Sequence, residues 1–166
     1  MGSKSVAACR IRMLSCVEGL AVAEVESVCV SIWRGEVTHS RFELQRKGLA
    51  EVVAHHNERA AFLVVVEADI PPPPAELRRA GSAMIAQYPT LCCAVAVIEA
   101  KGFMAAVTRS VLSGMSLLTT RGFPEAHLGS VAEAGKWMAQ HVRIEPTALV
   151  DAVESVRGKL GSVLCP

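Results

Sequence analysis

Residues 60–74 read AAFLVVVEADIPPPP, and this stretch decides the fold. Its run of five large apolar residues, three of them valine, is typical of a strand buried on both faces of a parallel sheet. Proline has no N–H and cannot extend a ladder, so the strand must end before Pro71. The stretch therefore predicts a central strand, with Glu67 and Asp69 lying where it leaves the sheet.

Helical and extended patterns alternate on either side of this strand. Apolar residues recur at helical spacing in residues 40–57 before it and 77–88 after it. A second buried strand is predicted at residues 91–98, and a third helix at residues 103–118. This alternation predicts an α/β fold: a mostly parallel sheet of four to five strands with helices packed on it.

The two ends of the chain add elements to this core. Residues 9–35 are rich in valine, isoleucine and cysteine, and breaks near Glu18-Gly19 and Glu26-Ser27 predict an antiparallel pair of strands. Pro146 opens a C-terminal amphipathic helix whose apolar stripe is buried either in its own chain or against a second copy. Of these two arrangements we favour the second, a homodimer. We expect a flexible N-terminus (1–8), an α/β domain (9–142) and a C-terminal helical extension (143–166).

Local signals mark where the helices begin and how they pack. Ser40 with Glu43, and Ser130 with Glu133, have the spacing of capping boxes and predict two helix starts. Gly48 lies inside the first predicted helix, where it costs ~1 kcal/mol relative to alanine. We interpret it as a point of close packing.

The composition narrows the classes of function. Hydrophobic residues make up 51% of the 166 residues, so apolar surface remains for a subunit interface or for a groove that holds an apolar partner. Lys and Arg number 17 against 16 Asp and Glu, so no strong field attracts nucleic acid or anionic lipid.

No apolar run approaches the ~20 residues that span a bilayer. With no signal-peptide pattern and no CxxC among the cysteines, we expect a cytoplasmic protein.

Several segments carry a resemblance to a known family. They are SIWRGEVT at 31–38, LVVVE at 63–67, residues 91–99 followed by 103–118, and GSVAEAGKWM at 129–138. In element order and apolar pattern the chain resembles STAS-like domains of the anti-sigma-factor antagonist type, over roughly residues 9–142. The resemblance implies a non-enzymatic regulatory or protein-interaction module that works by docking to a protein partner.

The chain departs from this family at one functional position. Antagonists of this type carry a phosphorylatable serine or threonine after the central strand, where this chain has Asp69-Ile70-Pro71. The resemblance therefore implies a docking surface without the usual phosphorylation switch. Related lipid-carrying folds use the same sheet to shelter an apolar ligand, so a carrier of an apolar small molecule or lipid is the alternative function.

The candidate binding residues follow the two buried strands. The carboxylates of Glu67 and Asp69 alternate on extended chain and can lie on one side, with Arg78 as a salt-bridge partner one turn later. A glycine after the second strand can leave N–H groups open to an anion, and flexible apolar residues beside it suit docking. The partner- or ligand-binding candidates are Glu67, Asp69, Arg78, Gly102, Phe103 and Met104.

Catalytic and metal-binding patterns are weak. A further alternative is a small enzyme of specialised metabolism that uses Glu67 and Asp69 beside an apolar pocket, with pKa values pushed apart by burial. His55 and His56 are neighbours on a predicted helix and point about 100° apart, which argues against a shared ion. We expect no catalytic residue, no metal and no cofactor, and an enzyme is the less favoured reading.

Overall fold

The computed structural model describes residues 8–68, 70–102, 106–107, 110 and 122–162. These residues form an α/β structure with a six-stranded sheet whose spatial order follows the chain. The strands are β1 (Ile11–Val17), β2 (Leu20–Val25), β3 (Val28–Trp33), β4 (Ala61–Val66), β5 (Ala94–Ile98) and β6 (Glu125–Leu128). The helices described with bounds are α1 (His39–His56), α2 (Ala75–Ala86), α3 (Val131–Met138) and α4 (Pro146–Ser162), and a 3-10 turn (Asn57–Arg59) follows α1.

The sheet is mixed, so the prediction of a mostly parallel sheet of four to five strands is wrong. The strands β1, β2 and β3 pair antiparallel, whereas β3 to β6 run parallel to their neighbours. Both predicted breaks in residues 9–35 are turns, with positive φ at Gly19 (81°) and Glu26 (52°), as tight hairpins require. Two turns divide this segment into three strands rather than the predicted pair.

The central strand lies where the sequence places it. β4 pairs in parallel with both β3 and β5, and it ends at Val66, ahead of the four prolines. The register pairs Trp33 with Val66 and Val66 with Ile98. The last residues of three parallel strands therefore stand side by side, and the residues that follow them must also be neighbours.

Helices cover the two faces of the sheet. α1 and α2 pack on one face, around Leu20, Val22 and Phe62, whereas α3 and α4 pack on the other. A Cβ at Gly48 would lie 2.5 Å from Val22 Cγ1, so α1 approaches β2 closely here, as interpreted from the sequence.

The two predicted helix caps have different outcomes. The cap of α1 is Thr38, whose side chain accepts from the backbone N–H of Arg41, so the predicted cap at Ser40 is wrong. Ser40 and Thr38 both offer hydroxyls, and the helix begins at the earlier one. The predicted cap Ser130 is confirmed, because its hydroxyl accepts from the N–H of Glu133.

The C-terminal helix completes one layer of the fold. α4 begins at Pro146, as predicted, and its Leu149, Val153, Val156 and Leu160 are at most 1% exposed. These side chains join the core cluster that includes β1 to β3, so the stripe is buried within its own chain. The homodimer through α4 stays a prediction. Its interface would have to use the outer face of the helix.

Two further sequence predictions concern a third helix and a membrane span. Of the third helix predicted at residues 103–118, only Ala106, Val107 and Ser110 are described, and they are helical. Among the described residues, no helix is long and apolar enough to cross a membrane.

Candidate functional site

An ion-pair cluster lies at the carboxyl edge of the parallel strands. Arg34, Glu67 and Glu99 directly follow β3, β4 and β5, so the register of these strands brings them together. Arg34 binds Glu67 through two hydrogen bonds, Nε to Oε2 at 2.6 Å and Nη2 to Oε1 at 3.0 Å. Such a two-point geometry holds both side chains in place.

Arg157 of α4 links this edge to the helical layer. Its Nη1 donates to Glu67 Oε1 at 2.7 Å and to Glu99 Oε2 at 3.0 Å, and its Nη2 donates to Glu99. Only 15% of the side chain of Arg157 is exposed. Sequence reasoning missed Arg157, which lies 90 residues from Glu67 along the chain. Arg78 was expected as a salt-bridge partner of Glu67 or Asp69; Arg34 and Arg157 hold the carboxylate of Glu67, and Asp69 lies outside the described residues.

The chemistry of Glu67 follows from these partners. Burial opposes its ionisation, but the hydrogen bonds and charges of Arg34 and Arg157 outweigh burial and hold its pKa below the ordinary value. A carboxyl group with a lowered pKa is ionised at neutral pH and has no proton to donate. Both of its oxygens already accept from arginine, so the arrangement favours a structural role for Glu67 over acid–base chemistry.

Next to this edge lies an apolar cavity of about 190 Å³, called here the α2 cavity. Its floor is the α2-facing side of β4 and β5, and its walls come from α1, α2 and the proline segment. The lining includes Trp33, Phe42, Phe62, Val64, Val66, Ile70, Pro71, Pro72, Leu77, Gly81, Met84, Ile85, Ala94, Ala96 and Ile98. An apolar cavity of this kind is a default candidate for a binding site.

Small side chains leave this space open. Ala94 and Ala96 of β5 face it from the floor and Gly81 faces it from α2, so little volume projects into the gap. Val64 and Val66 of β4 are consequently only partly buried. The expectation that the central strand is buried on both faces is therefore wrong for this end of β4.

Polar groups occupy the borders of the cavity. Gln45 and Trp33 form a buried hydrogen bond, from the indole Nε1 to Oε1 at 2.7 Å. Arg78 is partly buried and donates from Nη1 to the carbonyl of Pro73 at 2.9 Å. Glu125 and His127 of β6 lie on the far side. Arg78 thus places a cation beside a stiff proline segment at the rim.

The predicted binding residues do not all fall in this site. Glu67 belongs to the ion-pair cluster and Arg78 to the rim of the α2 cavity. Gly102 is exposed in a turn with φ of 72°, and nothing described lies within 4 Å of where its Cβ would be. Asp69, Phe103 and Met104 lie outside the described residues, so their predicted roles stay predictions.

A second polar cluster lies on β2 and the end of α1. Glu24 is 8% exposed, and its Oε1 lies 3.2 Å from His55 Nδ1 and 3.3 Å from His56 Nε2. Its Oε2 accepts from Arg12 at 2.7 Å. Burial raises the pKa of Glu24, but hydrogen bonds from Arg12 and His55 and the close contact with His56 outweigh this and lower the pKa below its ordinary value.

The adjacent histidines lie closer together than the sequence argument assumed. The centroids of the two rings are 4.8 Å apart, and a carboxylate from the neighbouring strand lies within reach of both. One ligand atom from each of Glu24, His55 and His56 lies within 4.8 Å of the other two. Sequence spacing on α1 alone could not reveal Glu24, because the contact depends on how α1 crosses β2.

No family model, curated protein or solved structure matches this chain. The functional argument therefore depends on the geometry of the chain itself.

Proposed function

We propose that this chain is a non-enzymatic protein-interaction domain that takes one bulky apolar side chain of a partner protein into the α2 cavity. The observation that carries this proposal is the apolar cavity floored by Val64, Val66 and Ala96. Interfaces commonly concentrate their binding energy in such an anchor, which fills a desolvated pocket.

The size of the cavity favours a side-chain anchor over a whole small molecule. Its volume of about 190 Å³ is below the ~300–1,000 Å³ of typical ligand pockets and close to the ~150 Å³ of a cavity that holds benzene. A leucine, isoleucine or phenylalanine side chain is of that order of size. A lipid acyl chain needs more space, which makes the carrier of an apolar ligand the second candidate.

The rim favours a particular partner chemistry. Arg78 places a positive charge at the edge of the cavity, and Pro71, Pro72 and Pro73 stiffen the same edge. A partner segment with a carboxylate next to its apolar anchor can pair with Arg78 while the anchor enters. A preformed rim reduces the ordering cost of binding.

The STAS-like resemblance agrees with a docking role and stays part of the proposal. The order β3-α1-β4-α2-β5 supports it. The missing hydroxyl after the central strand indicates that docking is not switched by phosphorylation there.

Filling the cavity tests the proposal. Benzene, as a probe of anchor size, should shift the NMR signals of Val64, Val66 and Ile98 in the wild-type protein. Ala96→Leu should abolish these shifts, because its side chain enters the cavity, and the exposed Ala132→Leu should retain them. Peptides selected by display on the wild type should carry an apolar residue beside an acidic one, and should lose at least about tenfold affinity for Ala96→Leu.

Other outcomes decide against the proposal or for its rival. Absence of shifts in the wild type means that the cavity is closed to outside groups, including the case in which the chain between β5 and β6 fills it. Equal peptide affinity for Ala96→Leu and Ala132→Leu overturns the proposal as well. A long-chain fatty acid that binds the wild type and not Ala96→Leu supports the carrier function instead.

A further inference from the structure

We propose that Glu24, His55 and His56 form a binding site for a divalent transition-metal ion of the zinc class. These residues contribute one carboxylate oxygen and two imidazole nitrogens within 4.8 Å of one another. Two histidines and a carboxylate are a donor set that binds Zn²⁺ and leaves a fourth position open to water. This site lies at the end of α1 and is independent of the α2 cavity.

The distances around Glu24 fit a shared ion. Its Oε1 lies 3.2 Å from His55 Nδ1 and 3.3 Å from His56 Nε2. Ligand atoms around a tetrahedral ion with bonds of ~2.1 Å are ~3.4 Å apart, so both distances match edges of that tetrahedron. His55 is 61% exposed in its side chain and can turn to complete the geometry.

One ligand atom has no other partner described. His56 Nε2 is buried, and its contact with Glu24 Oε1 at 3.3 Å is not aligned as a hydrogen bond. A buried ring nitrogen normally has a partner, and an ion bound between His56 and Glu24 supplies one. The ring of His56 is 23% exposed and that of His55 is more so, which leaves a route from solvent.

The charges around the site also favour a cation. Arg12 donates to Glu24 Oε2 and also pairs with Glu51 at 2.5 Å, and both histidines lie within 3.3 Å of Oε1. With neutral histidines, two carboxylates and one guanidinium leave one net negative charge. Arg12 fixes the orientation of the Glu24 carboxylate, which is the usual role of a residue behind a metal ligand.

Metal titration of the full chain tests the site. Isothermal calorimetry with Zn²⁺ should show one strong site per chain, and bound Co²⁺ should give visible absorption without a thiolate charge-transfer band. His55→Gln and His56→Gln should each weaken Zn²⁺ binding by at least about tenfold. The control is His39→Gln: residue 39 is ~24 Å from residue 55 along α1 and 72% exposed, so binding should be unchanged.

Two results overturn the proposal. One is a wild-type protein that binds no Zn²⁺ at millimolar concentration. The other is Zn²⁺ binding that both histidine variants retain, which would assign the ion to the cysteines. His55→Gln keeps the test valid if other variants unfold, because the exposed ring of His55 contributes little to packing.

Discussion

The two faces of β4 are both built from apolar residues, yet they are covered differently. On the α3/α4 face, Leu63 and Val65 of β4 and Val97 of β5 have no exposed surface. On the α1/α2 face, their neighbours Val64 and Val66 are only partly buried and border the α2 cavity. The same strand therefore has a closed side and an open side.

This difference shows what strand composition can and cannot tell. An uninterrupted apolar run indicates that neither face is designed for water. It does not indicate whether each face packs against a helix, borders a cavity or binds a partner. The placement of α4 closes one face, whereas among the described residues the alanines of β5 and Gly81 of α2 leave room on the other.

The largest effect is expected from shortening side chains on the closed face. Leu63→Ala should lower the free energy of unfolding by ~2–5 kcal/mol, because it removes a fully buried side chain and leaves a void. Val64→Ala, next in the chain on the open face, should cost ~1 kcal/mol or less, since part of its surface is already accessible. Urea denaturation of both variants measures the contrast. Equal losses would show that the open face is as tightly packed as the closed one.

A smaller effect is expected where α4 is tied to the strand edge. Arg157→Ala leaves the carboxylates of Glu67 and Glu99 without this partner and should cost ~2 kcal/mol, less than a fully buried pair because the cluster is partly exposed. The exposed Lys159 on the same helix supplies the control, and Lys159→Ala should stay within ~0.5 kcal/mol of the wild type. Thermal and urea unfolding of the two variants compare them. A loss at Arg157 no larger than at Lys159 would contradict a stabilising role for the cluster.

The smallest effect is expected from pH. Because the pKa of Glu67 is lower in the folded chain than in the unfolded one, the unfolded state binds more protons as pH falls below ~4.3, the ordinary glutamate value. The contribution of Glu67 is therefore present above that pH and is lost as pH falls through the lowered pKa. Stability measured between about pH 5 and pH 3 should fall less steeply in Glu67→Gln than in the wild type. Equal slopes in Glu67→Gln and the wild type would exclude this contribution.

Local sequence signals predicted much of the fold. The stretch at residues 60–74 located β4 and its end, the breaks at Glu18-Gly19 and Glu26-Ser27 located two turns, and Pro146 located the start of α4. Each of these features depends on residues close together in the chain. The predictions of four to five strands and of a mostly parallel sheet were wrong, because pairing direction depends on partners that local patterns do not name.

The candidate sites were less predictable for the same reason. Glu67 and Arg78 were singled out, but their partners were not, since Arg34 and Arg157 approach from β3 and α4. The spacing of His55 and His56 argued against a shared ion and gave no sign of the cluster that these residues form with Glu24. Its third member, Glu24, is supplied by a strand 31 residues earlier.

By itself, the sequence determined the apolar strands, the helices between them and the charged residues that follow β3, β4 and β5, because backbone propensity and apolar periodicity act over a few residues. Only the tertiary structure decided that Arg157 reaches Glu67, that Glu24 lies within reach of two adjacent histidines, and that one face of β4 borders a cavity. These outcomes depend on how helices cross the sheet. That crossing is set by the fit of side chains that lie far apart in the chain.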